Sequence, residues 1–224
     1  MRHQVNQISV SLFMTILTLS QSIKFNREAL LDYGPVLIWF LGMTTVPILN
    51  WTIGPTSLPF SMSLTVLLQL IAVLSLLGRA WGLHRMIGVA LTVAFLGWGV
   101  EFIGSRTGFP FGSYDYTSLL QPQVVGVPLL VPLAWLMMLP CAWAVTQELG
   151  IRNRLMFIVV SALAFTAWDL FLDPQMVAWN FWKWSIPGEY FGIPLVNFAG
   201  WVLSAAIMTV IAAPGKVPAR PLLV

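Results

Sequence analysis

The stretch MIGVALTVAFLGWGVEFIG, residues Met86–Gly104, decides the class to which this protein belongs. It is almost wholly apolar, and Glu101 is its one charged residue. The hydrocarbon core of a bilayer is about 30 Å thick and needs about 20 mostly apolar residues for each helix that crosses it. The stretch therefore predicts a transmembrane helix that carries one acid near its end.

Similar apolar stretches follow the whole chain, of which 58% is hydrophobic and only 8% charged. About a quarter of the residues in an ordinary globular domain are charged. Including the first stretch, the predicted spans are residues 8–23, 34–53, 58–78, 86–104, 124–146, 155–172 and 193–213. We predict an all-α polytopic membrane bundle of about seven helices that forms a single membrane domain over residues 1–224. The span at 8–23 contains several Ser and Thr, so a signal peptide or an interfacial segment is the alternative there.

The basic residues indicate the orientation. Seven spans place eight Lys and Arg on one side and three on the other, and basic loops stay in the cytoplasm. We therefore expect a multi-pass protein of the plasma membrane, with an extracytoplasmic amino terminus and a cytoplasmic carboxyl terminus. The two long connections, 105–123 and 173–192, then lie outside, and loops of this length are usually functional.

Several functional classes find no support in the composition. The eleven Lys and Arg form no cluster, so we expect no nucleic acid as partner. The two histidines and the single cysteine, Cys141, lie far apart in sequence and form no metal-ligand motif. We therefore expect no metal and no cofactor.

Acids inside a membrane are costly, and each is a functional candidate. Glu101 and Asp169 each lie about one turn before the outer end of a predicted span, and Asn197 enters its span at the same level. Asp173 follows Asp169 by four residues, on the same helix face. Asp115, in the first long connection, is a further catalytic candidate.

Structural roles for two of these acids compete with catalysis. Glu101 has Arg106 five residues further on and would form an ion pair with it. Asp173 precedes Pro174, and an Asp-Pro turn would end the helix there.

Tryptophans lie near the same acids. Trp98 and Trp168 are each within three residues of an intramembrane acid, where an electron-rich ring can face a cation. Trp182 and Trp184 crowd the second long connection. They indicate either a lid over an apolar site or simple anchoring at the interface.

Four blocks of sequence together resemble one family. They are EFIGSRTGFPFGSYDY (Glu101–Tyr116), GVPLLVPLAW (Gly126–Trp135), DLFLDPQMVAWNFWKW (Asp169–Trp184) and YFGIPLVNFAGW (Tyr190–Trp201). The chain resembles the carotenoid hydratases of the CruF type, which are cofactor-free integral membrane enzymes. The resemblance covers about half of the chain.

The resemblance implies addition of water to the terminal C1–C2 double bond of an acyclic ψ-end group, which gives a 1-hydroxy carotenoid. The substrate would be lycopene, γ-carotene or a related carotenoid dissolved in the bilayer, with water as co-substrate. Such a reaction needs an acid, stabilisation of a tertiary cation, and a base.

We assign roles to the candidate residues on this basis. Glu101 and Asp169 would be acid and base in either order, while Asp173 and Asp115 are further catalytic candidates. Substrate contact or positioning of water is expected from seven more residues: Trp98, Trp168, Tyr114, Trp135, Trp182, Trp184 and Asn197.

Two other functions stay open at this point. In a metal-dependent prenyltransferase, Asp169 and Asp173 would hold Mg²⁺ and a diphosphate, although few basic residues lie nearby. A small-molecule transporter would show flux without a product. A retinal protein needs a lysine in the last helix, and residues 193–213 contain none.

Overall fold

A computed structural model describes residues 27–223, with side chains from residue 29 onwards. The span predicted at residues 8–23 lies outside the described residues. By its contacts the chain divides after Gly34, and residues 27–34 are the described part of the first unit. These residues begin α1, and the unit from Pro35 onwards contains the packing described below.

Six helices of the described residues are long and apolar enough to cross a membrane. They are α1 (Arg27–Thr52), α2 (Leu58–Trp81), α3 (Leu83–Thr107), α4 (Leu130–Glu148), α5 (Arg154–Ala178) and α6 (Leu195–Ala212). A short 3-10 turn (Pro55–Ser57) precedes α2, and a final helix, α7 (Ala219–Leu222), follows α6. The prediction of an all-α polytopic membrane bundle is confirmed.

Helix α4 lies at the centre of the core. It packs against α2, α3 and α5, and the terminal α7 also contacts it. Trp135, Leu139 and Trp143 on this helix are almost completely buried. A helix that is apolar on all sides and buried by its neighbours belongs in the interior of a bundle.

The two long connections contain short strands, which the all-α prediction did not include. The connection between α3 and α4 contains β1 (Tyr114–Tyr116), β2 (Gln123–Val124) and β3 (Val127–Pro128), and the connection between α5 and α6 contains β4 (Trp182–Trp184). Strands β2 and β3 form a hairpin whose two turn residues, Val125 and Gly126, have positive φ. The hairpin explains why α4 begins at Leu130 and not at Val124 as predicted.

The prediction that α5 ends before Pro174 is wrong, because the helix continues to Ala178. A proline inside a helix has no N–H for the carbonyl four residues earlier, here that of Leu170. The Tyr190 hydroxyl donates to the Leu170 oxygen at 3.0 Å. In a membrane such replacement donors allow a proline within a helix, and Asp173 consequently stays on the α5 face that carries Asp169.

Two glycines allow the first long connection to enter between α3 and α6. A Cβ atom on Gly104 would lie 2.8 Å from the Phe111 ring, and one on Gly200 would lie 2.7 Å from the Pro110 oxygen. Real Cβ contacts are not this close, so both positions need glycine. Phe111 is buried between these two helices and holds the segment that leads into β1.

Candidate active site

The two long connections meet through β1 and β4. These strands pair antiparallel, with Tyr114 opposite Trp184 and Tyr116 opposite Trp182. Successive side chains on a strand point to opposite faces. The four rings therefore share the face that covers the bundle, whereas Asp115, opposite Lys183, is exposed on the other face.

Glu101 lies beneath this ring-bearing face and is only 4% exposed. Its Oε2 accepts hydrogen bonds from the hydroxyls of Tyr114 and Tyr116, the latter at 2.7 Å. Its Oε1 accepts a hydrogen bond from the indole Nε1 of Trp135 at 2.9 Å. Three neutral donors thus converge on one buried carboxyl group, and an ionised carboxylate can accept all three.

The two tyrosines remain donors over a wide pH range. Burial raises the pKa of both Tyr114 and Tyr116 above the ordinary value of 10.0, and the neighbouring Glu101 charge raises it further. Both phenols therefore keep their protons at neutral pH.

Asp169 and Asp173 form a second carboxyl site on α5, and both are almost completely buried. The amide nitrogen of Asn197, on α6, donates to Asp173 Oδ2 and, at 3.2 Å, to Asp169 Oδ2. Trp182 donates its indole N–H to Asp173 Oδ1 at 3.2 Å. One amide thus bridges two acids one turn apart, and β4 supplies a further donor.

The Asp169 carboxyl has fewer partners than that of Asp173. Its Oδ1 is buried and has no hydrogen-bond partner. The two carboxyl groups lie one helical turn apart on α5, and the same Asn197 amide nitrogen donates to both. Two adjacent buried carboxylates repel one another strongly, and a single shared proton removes that repulsion.

A cavity of about 560 Å³ joins the two carboxyl sites. Glu101 and Asp173 both line it, and Asp169 lies behind Asp173. Most of the wall is apolar and comes from α1, α2, α4 and α5. Trp168 and Phe171 line the cavity and are also exposed on the outside of α5, so the cavity reaches the surface that this helix presents to lipid.

Aromatic rings surround the Glu101 end of the cavity. Trp135 stacks on Trp201 with 4.6 Å between ring centroids, and Phe165 lies 4.8 Å from Trp135. Tyr114 lies 5.9 Å from Trp184. Because the face of an aromatic ring attracts positive charge, this end of the cavity suits a carbocation next to a carboxylate.

The structure brings most of the predicted site residues together. Nine of them line the cavity or bond to its acids: Glu101, Asp169, Asp173, Tyr114, Trp135, Trp168, Trp182, Trp184 and Asn197. Trp184 lines the cavity but donates its N–H to the Phe111 oxygen, so its indole N–H has a structural partner.

Two predicted site residues lie elsewhere. Asp115 is exposed on the outer face of β1, because its neighbours Tyr114 and Tyr116 occupy the inner face. Trp98 does not line the cavity; it stacks on Phe102 and donates to the Val124 oxygen at 3.4 Å.

The structural alternative for Glu101, an ion pair with Arg106, is not formed. Arg106 donates to the Val125 oxygen at 3.2 Å, and its guanidinium carbon lies 4.2 Å from the centre of the Phe102 ring. The donors to the Glu101 carboxyl come from β1 and α4 instead.

Sequence reasoning missed Tyr116 and Trp201. A signal for Tyr116 existed, because Tyr-Asp-Tyr at 114–116 and Trp-Lys-Trp at 182–184 both alternate aromatic and charged residues, which is typical of strands. Trp201 lies in an apolar helix without a neighbouring acid, so nothing local distinguished it. Within residues 27–223, no three His, Cys, Asp or Glu side chains are grouped as ligands for one metal ion.

Comparisons with known proteins identify the family of this chain. The model of a family described as carotenoid biosynthesis protein matches residues 61–218, well over half of the chain. Bisanhydrobacterioruberin hydratase from Haloarcula japonica is 35% identical over 129 residues, which are 55% of this chain and 43% of that protein. The match thus spans less than half of the relative's length. No solved structure matches the chain. Because the family model covers both carboxyl sites and most of the helices around them, the protein belongs to the carotenoid biosynthesis protein family.

Proposed function

We propose that the protein is a carotenoid hydratase that adds water to the terminal C1–C2 double bond of an acyclic ψ-end group. The product is a tertiary 1-hydroxy carotenoid, and lycopene, γ-carotene or a related linear carotenoid is the substrate. One observation carries the proposal: two carboxyl sites, Glu101 and Asp169–Asp173, adjoin one apolar cavity that reaches the lipid-facing surface.

Asp173 is the proton donor in this proposal. It faces the cavity, so a proton shared by the adjacent Asp169 and Asp173 carboxyl groups is available to an alkene there. Transfer of this proton to C2 leaves the positive charge on C1, a tertiary carbon. Asp169 does not line the cavity, so it acts as a positioning residue that holds the shared proton together with Asn197.

Glu101 supports the second half of the reaction. Its ionised carboxylate, held by three donors, lies beside the rings of Trp135 and Tyr114. The negative charge and the ring faces stabilise the C1 cation. Glu101 then accepts the proton that the attacking water loses when its oxygen bonds to C1. The net reaction adds one water, and return of the proton from Glu101 to Asp173 restores the enzyme.

Asn50 on α1 supplies a polar point on the cavity wall. Its Oδ1 is buried without a hydrogen-bond partner. Buried polar atoms generally bond to protein or to water, so the water co-substrate binds here. The reaction as proposed uses no cofactor, because the oxygen comes from water and carbon is not oxidised overall.

The geometry favours hydration over the Mg²⁺-dependent prenyltransferase. That reaction needs Asp169 and Asp173 free to hold a metal and a diphosphate. Here Asn197 bridges the two carboxyl groups and Trp182 bonds to Asp173.

The distribution of Lys and Arg between the loops supports a site on the extracytoplasmic side of the plasma membrane. Labelling of Ser185→Cys with an impermeant thiol reagent tests this orientation.

The function is tested with membranes that contain the protein and an acyclic carotenoid under strict anoxia. The product should gain the mass of one water, and in H₂¹⁸O it should carry the label. Label that enters from ¹⁸O₂ would contradict the proposal. Membranes that contain Asp173→Asn protein at equal abundance are the control, and flux without a product would indicate a transporter.

A further inference from the structure

A second cavity, of about 320 Å³, continues the first one along the helices. Trp39, Gln69 and Trp168 line both cavities and form the neck between them. The remaining wall of the second cavity is formed almost wholly by apolar residues of α1, α2, α4 and α5, and by the chain's carboxyl-terminal residues.

The order of the lining residues shows that the cavities lie end to end. On α4, residues from Leu130 to Met137 line the first cavity and residues from Met138 to Val145 line the second. At a rise of about 1.5 Å per residue, this path along α4 is about 22 Å long. It thus follows most of a hydrocarbon core about 30 Å thick.

The carboxyl-terminal segment closes the far end. Pro221, Leu222 and Leu223 line the second cavity, and α7 packs against α4. Hydrogen bonds hold the chain before α7: the Gln147 side chain bonds to Gly215 and Val217, and the Trp81 indole donates to the Lys216 oxygen at 2.7 Å.

We propose that the second cavity holds the distal part of the same linear polyene whose end group reacts in the first cavity. Helix α7 then limits the length and shape of the polyene's far end. This inference rests on the proposed function. A conjugated chain is stiff and cannot fold back inside the first cavity, so it needs a straight apolar path beyond the acids. The second cavity lies in line with the first and provides that path.

Two consequences follow for specificity. The path ends at α7, so a bulky far end meets α7 before an acyclic far end of the same length does. Only one end of the polyene reaches the acids at a time. Hydration of both ends therefore requires release and re-entry, and the singly hydrated product accumulates before the doubly hydrated one.

The test fills the second cavity and leaves the acids unchanged. Ala164 on α5 lines this cavity, and its neighbour Leu163 is 53% exposed on the outside of the helix. Ala164→Phe and Leu163→Phe are therefore matched variants. Each is assayed with a full-length linear carotenoid and with a short acyclic isoprenoid that carries the same end group but ends within the first cavity.

Ala164→Phe should slow hydration of the long substrate about tenfold or more, as expected for overpacking a binding site, and leave the short substrate unaffected. Leu163→Phe should change neither rate. Equal effects of Ala164→Phe on both substrates, or none on either, would overturn the inference. If Ala164→Phe does not fold, Cys141→Phe narrows the same cavity from α4. Failure of the proposed function is distinguishable, because the unmodified protein would then hydrate neither substrate.

Discussion

Glu101 and the Asp169–Asp173 pair lie at the same end of the bundle, but their carboxyl oxygens are hydrogen-bonded differently. Glu101 stands alone and accepts from three neutral donors on β1 and α4. Asp169 and Asp173 stand together, share one amide, and leave Asp169 Oδ1 without a partner. The donors around Glu101 are thus enough for one full negative charge, whereas the donors around Asp169 and Asp173 are too few for two negative charges.

The difference indicates how a buried cavity can contain both an acid and a base. Hydrogen bonds to a carboxyl group favour its ionised form, and a neighbouring carboxylate favours the protonated form. Where environments separate the charge states of two titratable sites in this way, the acid and base roles can be assigned. The proton therefore belongs to the Asp169–Asp173 pair, and the charge belongs to Glu101.

The largest expected effect comes from Asp173→Asn. An amide has nearly the shape of the carboxyl group but cannot protonate an alkene, so hydration per folded molecule should fall by about 10³-fold. The matched control is Asp115→Asn on the exposed face of β1, which should keep near-normal activity. Product is quantified by mass against the amount of detergent-extracted protein. Full activity of Asp173→Asn would invalidate the assignment.

Glu101→Gln should reduce turnover by roughly 10²-fold, because the base and the negative charge near the cation are both lost. The protein should still insert, since removal of an intramembrane acid does not hinder insertion. Arg106→Gln tests the rejected ion pair and should leave turnover unchanged. If both Arg106→Gln and Glu101→Gln lose folded protein instead, the two residues are coupled and the assignment of Glu101 as base is wrong.

Asp169→Asn should have a smaller effect, about tenfold on kcat with little change in KM, because Asp169 acts through Asp173. The double variant Asp169→Asn/Asp173→Asn should then be no slower than Asp173→Asn alone, since residues of one unit are not additive. Multiplied effects in the double variant would show that Asp169 acts independently.

The smallest effect is spectroscopic and concerns the donors to Glu101. A raised pKa means that Tyr114 and Tyr116 keep their protons as the pH rises past 10.0. The tyrosinate absorbance just above that pH should therefore be the same in the unmodified protein and in Tyr114→Phe/Tyr116→Phe. A smaller signal in the double variant would mean that these phenols ionise normally and are not buried donors.

The sequence alone determined the membrane class, six of the described helices and the candidate acids. Insertion into a bilayer depends on the summed hydrophobicity of about 20 consecutive residues, so it can be recognised locally. An acid in such a stretch stands out for the same reason, which is why Glu101 and Asp169 were identified without a structure. The resemblance of four sequence blocks indicated the family.

Only the tertiary structure decided which acid faces the cavity and what bonds to each carboxyl group. Asp169 and Asp173 lie on one helix face, and only the packing of α5 against α6 and β4 puts Asp173 on the cavity wall and Asp169 behind it. Where α5 continues past Pro174, the Leu170 oxygen accepts from Tyr190 of the following connection. The donors to Glu101 reach it through the long connection that forms β1 and through α4. Hydrogen bonds between segments distant in sequence depend on packing and register, and no window of neighbouring residues contains that information.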